Sequence, residues 1–120
     1  MNEKDKSILR HIAKYCGRLL EYTDGIDESS FVIDSLRIDA CALGILQIGE
    51  LVRLLSDDFK ASYPSIPWKL IRAMRNVIAH HYGEVDAETL WETIITDVPP
   101  LKKFCESILA IENGNTGIPK

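Results

Sequence analysis

Residues 35–59 read SLRIDACALGILQIGELVRLLSDDF, and the fold class follows from their spacing. Leu36, Ala40, Leu43, Leu51 and Leu54 keep heptad-like intervals, and Ile38, Cys41, Ile45, Ile48 and Val52 form a second stripe beside them. The run ACALGILQIG between them carries no charge. This pattern predicts one helix over 35–59, about 36 Å long at about 1.5 Å per residue. A helix apolar around most of its circumference must be covered on more than one side. In so short a chain the pattern predicts a homodimer; the alternative is a central helix wrapped by its own neighbours.

The flanking segments repeat the helical period. Ile8, Ile12, Tyr15, Leu19 and Tyr22 line one face of a helix over 3–23, and EYTDGIDESSF then breaks the pattern with Gly25 and several Asp and Ser residues. KASYPSIP ends the long second helix. Pro67 is expected in the first turn of a third helix, WKLIRAMRNVIAHHY, with Ser65 or Ile66 as its cap. Gly83 is expected to stop that helix in a left-handed cap. Asp86 caps a fourth helix, AETLWETIIT, and Asp97 with Pro99 and Pro100 marks a bend into a fifth, LKKFCESILAIEN. No run alternates with period two. The sequence predicts an all-α, up-and-down bundle of four to five helices in a single domain, 1–113, with a frayed tail at 114–120.

Composition sets the outer limits. A chain of 120 residues, 46% apolar and 27% charged, suits one soluble globular domain and leaves no room for a second core. No apolar run approaches the roughly 18–20 residues of a membrane span, and MNEKDKSILRH lacks the core of a signal peptide, so no membrane association is expected. Cys16, Cys41 and Cys105 are odd in number, far apart and outside any CxxC spacing. They predict neither a disulfide framework nor a zinc site, and they suit a reducing cytoplasm.

Fourteen basic residues against eighteen acidic give a net charge of −4, which argues against a broad basic surface for nucleic acid. The charges are uneven, however. Residues 59–83 contain no acid, but hold Lys60, Lys69, Arg72, Arg75, His80 and His81; Glu84, Asp86, Glu88, Glu92 and Asp97 follow without a base until Lys102. Solvated helix faces of opposite sign are one explanation, and a local basic site in an acidic molecule is the other.

Several chemistries have no support. Neither GxxxxGK[ST] nor GxGxxG occurs, and no Glu-x-x-His pair is available for a di-metal bundle core. His80 and His81 are adjacent and project about 100° apart on a helix, a poor arrangement for chelating one metal. No metal and no cofactor is expected. What remains is Arg75-Asn76-Val77-Ile78-Ala79-His80-His81-Tyr82. Arg and His together suffice for metal-free phosphodiester cleavage: the imidazole deprotonates the attacking 2′-hydroxyl or protonates the leaving 5′-oxygen, and the guanidinium stabilises the phosphoryl charge. Arg75 and His80 lie about 140° apart around a helix, whereas Tyr82 falls within about 20° of Arg75. One chain therefore makes an awkward site, and two such helix ends facing each other make a compact one. A purely structural reading stays open, with Arg75 paired to a carboxylate and His80 hydrogen-bonded at a helix end.

PSIPWKLIRAMRNVIAHHYGEVDAETLWETIITDVPPL resembles the C-terminal half of HepT-like proteins, the toxin branch of the HEPN superfamily, whose Arg-x4-His-x-Tyr hallmark is matched by Arg75, His80 and Tyr82. DACALGILQIGELVRLLSDDF resembles the long helix of that family, including Ile48-Gly49-Glu50, and the likeness extends over residues 7–109. The resemblance implies a HEPN-like bundle that dimerises through the long second helix and the motif helix to form a composite, metal-independent endoribonuclease site for RNA. It implies as partner a minimal nucleotidyltransferase antitoxin of the MntA type, which transfers AMP to the motif tyrosine, here Tyr82. Asn76 matches the family's common Arg-Asn pair and implies a supporting role. Glu50 is either a partner for Arg75 or a packing feature, and the sequence favours packing. His81 occupies a variable position of the motif, and Trp68 and Trp91 are expected in the core rather than as base-stacking platforms.

Overall fold

The computed structural model describes residues 1–84 and 86–112. Its elements are α1 (Glu3–Thr23), α2 (Glu28–Phe31), α3 (Ser35–Leu54), α4 (Asp57–Ser62), α5 (Trp68–His81), a 3₁₀ turn (Tyr82–Glu84) and α6 (Ala87–Glu112). Among the described residues there is no strand, and the all-α expectation holds. The expected domain end at 113 and the tail at 114–120 lie outside the described residues.

Side-chain caps decide where most helices begin. Asn2 accepts from the Asp5 amide at 2.6 Å, Asp27 from Ser30 at 2.9 Å, Asp34 from Arg37 at 3.1 Å and Ser56 from Phe59 at 3.2 Å. The Asp27 cap starts α2, a short helix inside the segment expected to be irregular. Asp86 caps α6 as expected, accepting from the Glu88 amide and the Thr89 hydroxyl.

Four boundaries differ from the sequence expectation. The helix predicted over 35–59 stops at Leu54 and is about 30 Å long. Ser56 breaks it, because its amide and hydroxyl both donate to the buried Asp5 carboxylate, at 3.0 and 2.7 Å, while the same hydroxyl caps α4. Pro67 stands at the N-cap of α5 rather than in its first turn. Gly83 adopts no left-handed conformation; the chain tightens into the 3₁₀ turn instead. The predicted fourth and fifth helices are one helix, α6, with Pro99 and Pro100 inside it. Both prolines are exposed, as are Ile95 and Thr96, whose carbonyls the prolines cannot bond, so the interruption falls on the solvent side while Val98 and Leu101 stay in the core.

α1 lies between α3 and α6, and α3 carries α5 on its other side. Leu9, Ile12, Cys16 and Leu19 of α1 meet Cys41, Ile45, Ile48 and Val52 of α3 and Leu90, Ile94 and Cys105 of α6 in the core. The second stripe of α3 is thus buried, and the first is not: Leu36 is 80% exposed and Leu43 56%. α5 fully buries only Ile78. A groove of about 450 Å³ runs beside it, lined by Ile45, Ile48, Leu70, Met74, Val77 and Val98 among others.

Trp68 donates its indole N–H to the Lys60 and Tyr63 carbonyls, each at 3.1 Å, and its ring joins Phe59 and Phe104; Trp91 packs on Phe31. Both tryptophans serve packing. The three cysteines are free and buried, and burial pushes the Cys16 and Cys105 thiols up to about 12 and Cys41 to about 11. No helix among the described residues is long and apolar enough to cross a membrane.

Candidate functional site

α3 holds two acidic residues, Asp39 and Glu50. Eleven residues separate them, which returns a helix to within about 20° of its starting direction, so both face the same side. α5 presents Arg75, with Tyr82 following seven residues later at its end, again about 20° apart. The two pairs meet. Arg75 Nη2 forms an ion pair with Glu50 Oε1, and the Tyr82 hydroxyl donates to Asp39 Oδ1. The contacts run in opposite directions along the two helices, so α5 lies antiparallel on α3 and is tethered at two points.

Close approach at the Arg75 end depends on Gly49. A Cβ on Gly49 would overlap Arg75 Cβ and stand 2.6 Å from its Cγ. The absent side chain is what lets Arg75 settle against α3, with its side chain 27% exposed. Arg75 Nη1 also donates to Asn76 Oδ1 at 3.1 Å, and its Nε is buried without an acceptor. Glu50 receives a second guanidinium, Arg53, at 3.3 Å. Partial burial acts to raise the Glu50 carboxyl, but the Arg53 hydrogen bond and the Arg75 charge outweigh it and hold the group below its usual range. The preference for a packing role at Glu50 is therefore corrected: the residue is an ion-pair partner of Arg75.

At the other end, Tyr82 is 44% exposed, so its hydroxyl is both hydrogen-bonded and accessible. The hydrogen bond to Asp39, with smaller contributions from burial and the Asp39 charge, holds the phenol above its usual value of 10. Its proton is secure at neutral pH. Asp39 was not singled out from the sequence. The usable signal was there, because it sits one helical face with Glu50 at an eleven-residue spacing.

His80 lies exposed in the last turn of α5 and makes no hydrogen bond or ion pair among the described residues. Nothing joins it to Arg75 within one chain, in keeping with their angular separation of about 140°. Asn76 touches Arg75 and so supports the guanidinium from its own helix. Of the motif residues, then, the structure brings Arg75, Asn76 and Tyr82 onto the α3 face or its edge and leaves His80 outward. Among the described residues no three His, Cys, Asp or Glu side chains gather as a metal site.

Comparison with known proteins gives a consistent family signal. A family model described as "Ribonuclease HepT-like" matches residues 12–108. A Caldanaerobacter subterraneus protein with a provisional RNase name is 36% identical over 104 residues, covering 87% of this chain and 93% of the relative. A Methanocaldococcus jannaschii protein, also provisionally named an RNase, is 31% identical over 109 residues, 90% of this chain and 100% of its own length. A Thermococcus cleftensis protein named "Probable ribonuclease HepT" is 33% identical over 108 residues, with 90% and 98% covered. No solved structure matches the chain significantly.

Proposed function

The chain belongs to the HepT-like family of the HEPN superfamily, and on that premise we propose that it is a ribonuclease toxin of a toxin–antitoxin pair. It cleaves RNA without a metal through Arg75 and His80, and a minimal nucleotidyltransferase antitoxin silences it by AMP transfer to Tyr82. The supporting observation is the fixed guanidinium: Glu50, Gly49 and Asn76 together hold Arg75 in one place within the chain's acid-free stretch. A preorganised cation is what a developing phosphoryl charge requires, since no reorganisation is needed during the reaction. The exposed His80 supplies proton transfer to or from the 2′- and 5′-oxygens.

Because His80 points away from Arg75 in one chain, the complete site is composed by two chains, with His80 of one copy meeting Arg75 of the other. The exposed Leu36 and Leu43 provide the apolar surface for that dimer. AMP on Tyr82 would add a phosphodiester anion at the end of α5 that carries His80, and would repel an RNA backbone there.

The test is RNA cleavage by purified, unmodified protein in excess chelator. Cleavage is expected to persist in chelator and to fall by at least about 10²-fold in Arg75→Ala and in His80→Ala, with helical circular dichroism retained. Activity that survives either substitution would remove that residue from the mechanism. The separation of His80 from Arg75 also favours a second reading, a non-catalytic helical partner that presents Tyr82 to a nucleotidyltransferase; it predicts tight complex formation and no cleavage by the wild-type protein.

A further inference from the structure

The Tyr82–Asp39 contact has chemical content beyond a tether. Its acceptor is a carboxylate, it sits on the exposed edge of α3, and the Tyr82 hydroxyl is its only hydrogen-bond partner among the described residues. The other acid of α3, Glu50, is engaged by two guanidinium groups, and Asp34 near the helix start is paired with Arg37. Among the described residues, Asp39 alone of these three is without a cation. A carboxylate so placed is oriented toward one proton and is free to take it.

We propose that Asp39 is the proton acceptor for nucleotidyl transfer to Tyr82, a role that rests on the reading of Tyr82 as the AMP-accepting residue. The Tyr82 oxygen attacks the α-phosphorus of ATP. An oxygen–phosphorus bond forms, the bond from the α-phosphorus to the bridging oxygen breaks, and pyrophosphate leaves with the electron pair. The phenolic proton passes to Asp39 and from there to solvent, which reaches both groups. At rest the phenol is far too weak an acid to yield its proton to a carboxylate, and the hydrogen bond keeps it neutral. As the oxygen–phosphorus bond forms, the oxygen loses basicity, and the carboxylate becomes the better base late in the step. The acceptor chain thus carries its own general base, and the nucleotidyltransferase need supply only the nucleotide, its metal and the alignment.

The product explains why the contact does not persist. A tyrosyl phosphodiester has no phenolic proton to donate and carries a negative charge facing the Asp39 carboxylate, so the modified side chain leaves α3.

The experiment incubates the purified protein with a minimal nucleotidyltransferase of the MntA type, ATP and magnesium, and follows AMP incorporation by intact mass with peptide mapping to Tyr82. Asp39→Asn keeps an oxygen acceptor of the same shape but cannot take a proton. It is expected to lower kcat by about 10²-fold or more with KM for the acceptor protein unchanged, and Asp39→Glu is expected to recover part of the loss. An Asp39→Asn rate equal to wild type, or a change confined to KM, overturns the proposal while leaving Tyr82 as the modified residue. Wild-type protein that takes no AMP at Tyr82 overturns the reading beneath it and the proposal together.

Discussion

Tyr82 and Glu50 respond to pH in opposite senses because their partners carry opposite charge. The Tyr82 phenol is held above 10 by Asp39, so the folded state keeps a proton that the unfolded chain releases. Its contribution to stability is complete below about pH 10 and is lost as the pH rises through the raised folded value. The Glu50 carboxyl is held low by its arginines, so its contribution is present above the ordinary carboxylate range and disappears as the pH falls through the depressed value. The Tyr82 half is directly measurable. The phenolate absorbance of wild type minus that of Tyr82→Phe should titrate above the usual tyrosine range, and Asp39→Asn should bring the midpoint back toward 10. The seven-residue spacing made the shared face of Arg75 and Tyr82 legible in the sequence. Asp39 was missed because α3 was read for its apolar stripes, and a carboxylate on such a helix registers there only as an interruption.

Between elements, α3 and α5 are set together by a missing side chain. Gly49→Ala improves helix propensity by about 1 kcal/mol in isolation, yet its Cβ would press on the Arg75 stem, which is anchored at both Glu50 and Asn76. The overlap is with side-chain atoms next to the backbone, so α5 must shift. A net destabilisation of about 1–3 kcal/mol is expected from the urea midpoint, with RNA cleavage reduced more than stability alone accounts for. Gly44 faces Leu19 in a similar way, but there the nearest atom, at 2.8 Å, is a terminal methyl that can rotate aside. Helix identity was legible from periodicity and helix ends were not. The break at Ser56 is made by Asp5, fifty-one residues earlier in the chain, and the continuity through Pro99 and Pro100 depends on those residues facing water. Neither cause is local in sequence.

For the molecule as a whole, the packing order α6–α1–α3–α5 leaves one stripe of α3 open, and that stripe borders the site. On the helix Leu43 lies about 20° from Glu50 and about 40° from Asp39. A second copy docked on Leu36 and Leu43 would therefore bring its own motif helix close to this one. On the proposed dimer, the wild-type protein is expected to sediment as a dimer and Leu43→Asp as a monomer with at least about tenfold less cleavage and unchanged helix content; a monomeric wild type overturns the dimer. A variant that remains dimeric moves the interface elsewhere. The net charge of −4 described the whole and concealed this part: the acid-free stretch is confined to one helix and its approach, and the apolar surface beside it says more about association than the charge total does. The attachment of α5 has a last consequence. Beyond Trp68, which Phe59 and Phe104 hold at its start, α5 packs mainly on α3, and Ile78 is the one residue it buries fully, whereas α1 is clasped between two long helices. Local opening of the C-terminal part of α5 is therefore expected to cost less free energy than global unfolding, so that in hydrogen exchange its amides exchange before those of α1. Warming would then detach the motif helix before the bundle melts, so that activity would be lost from a protein otherwise still folded.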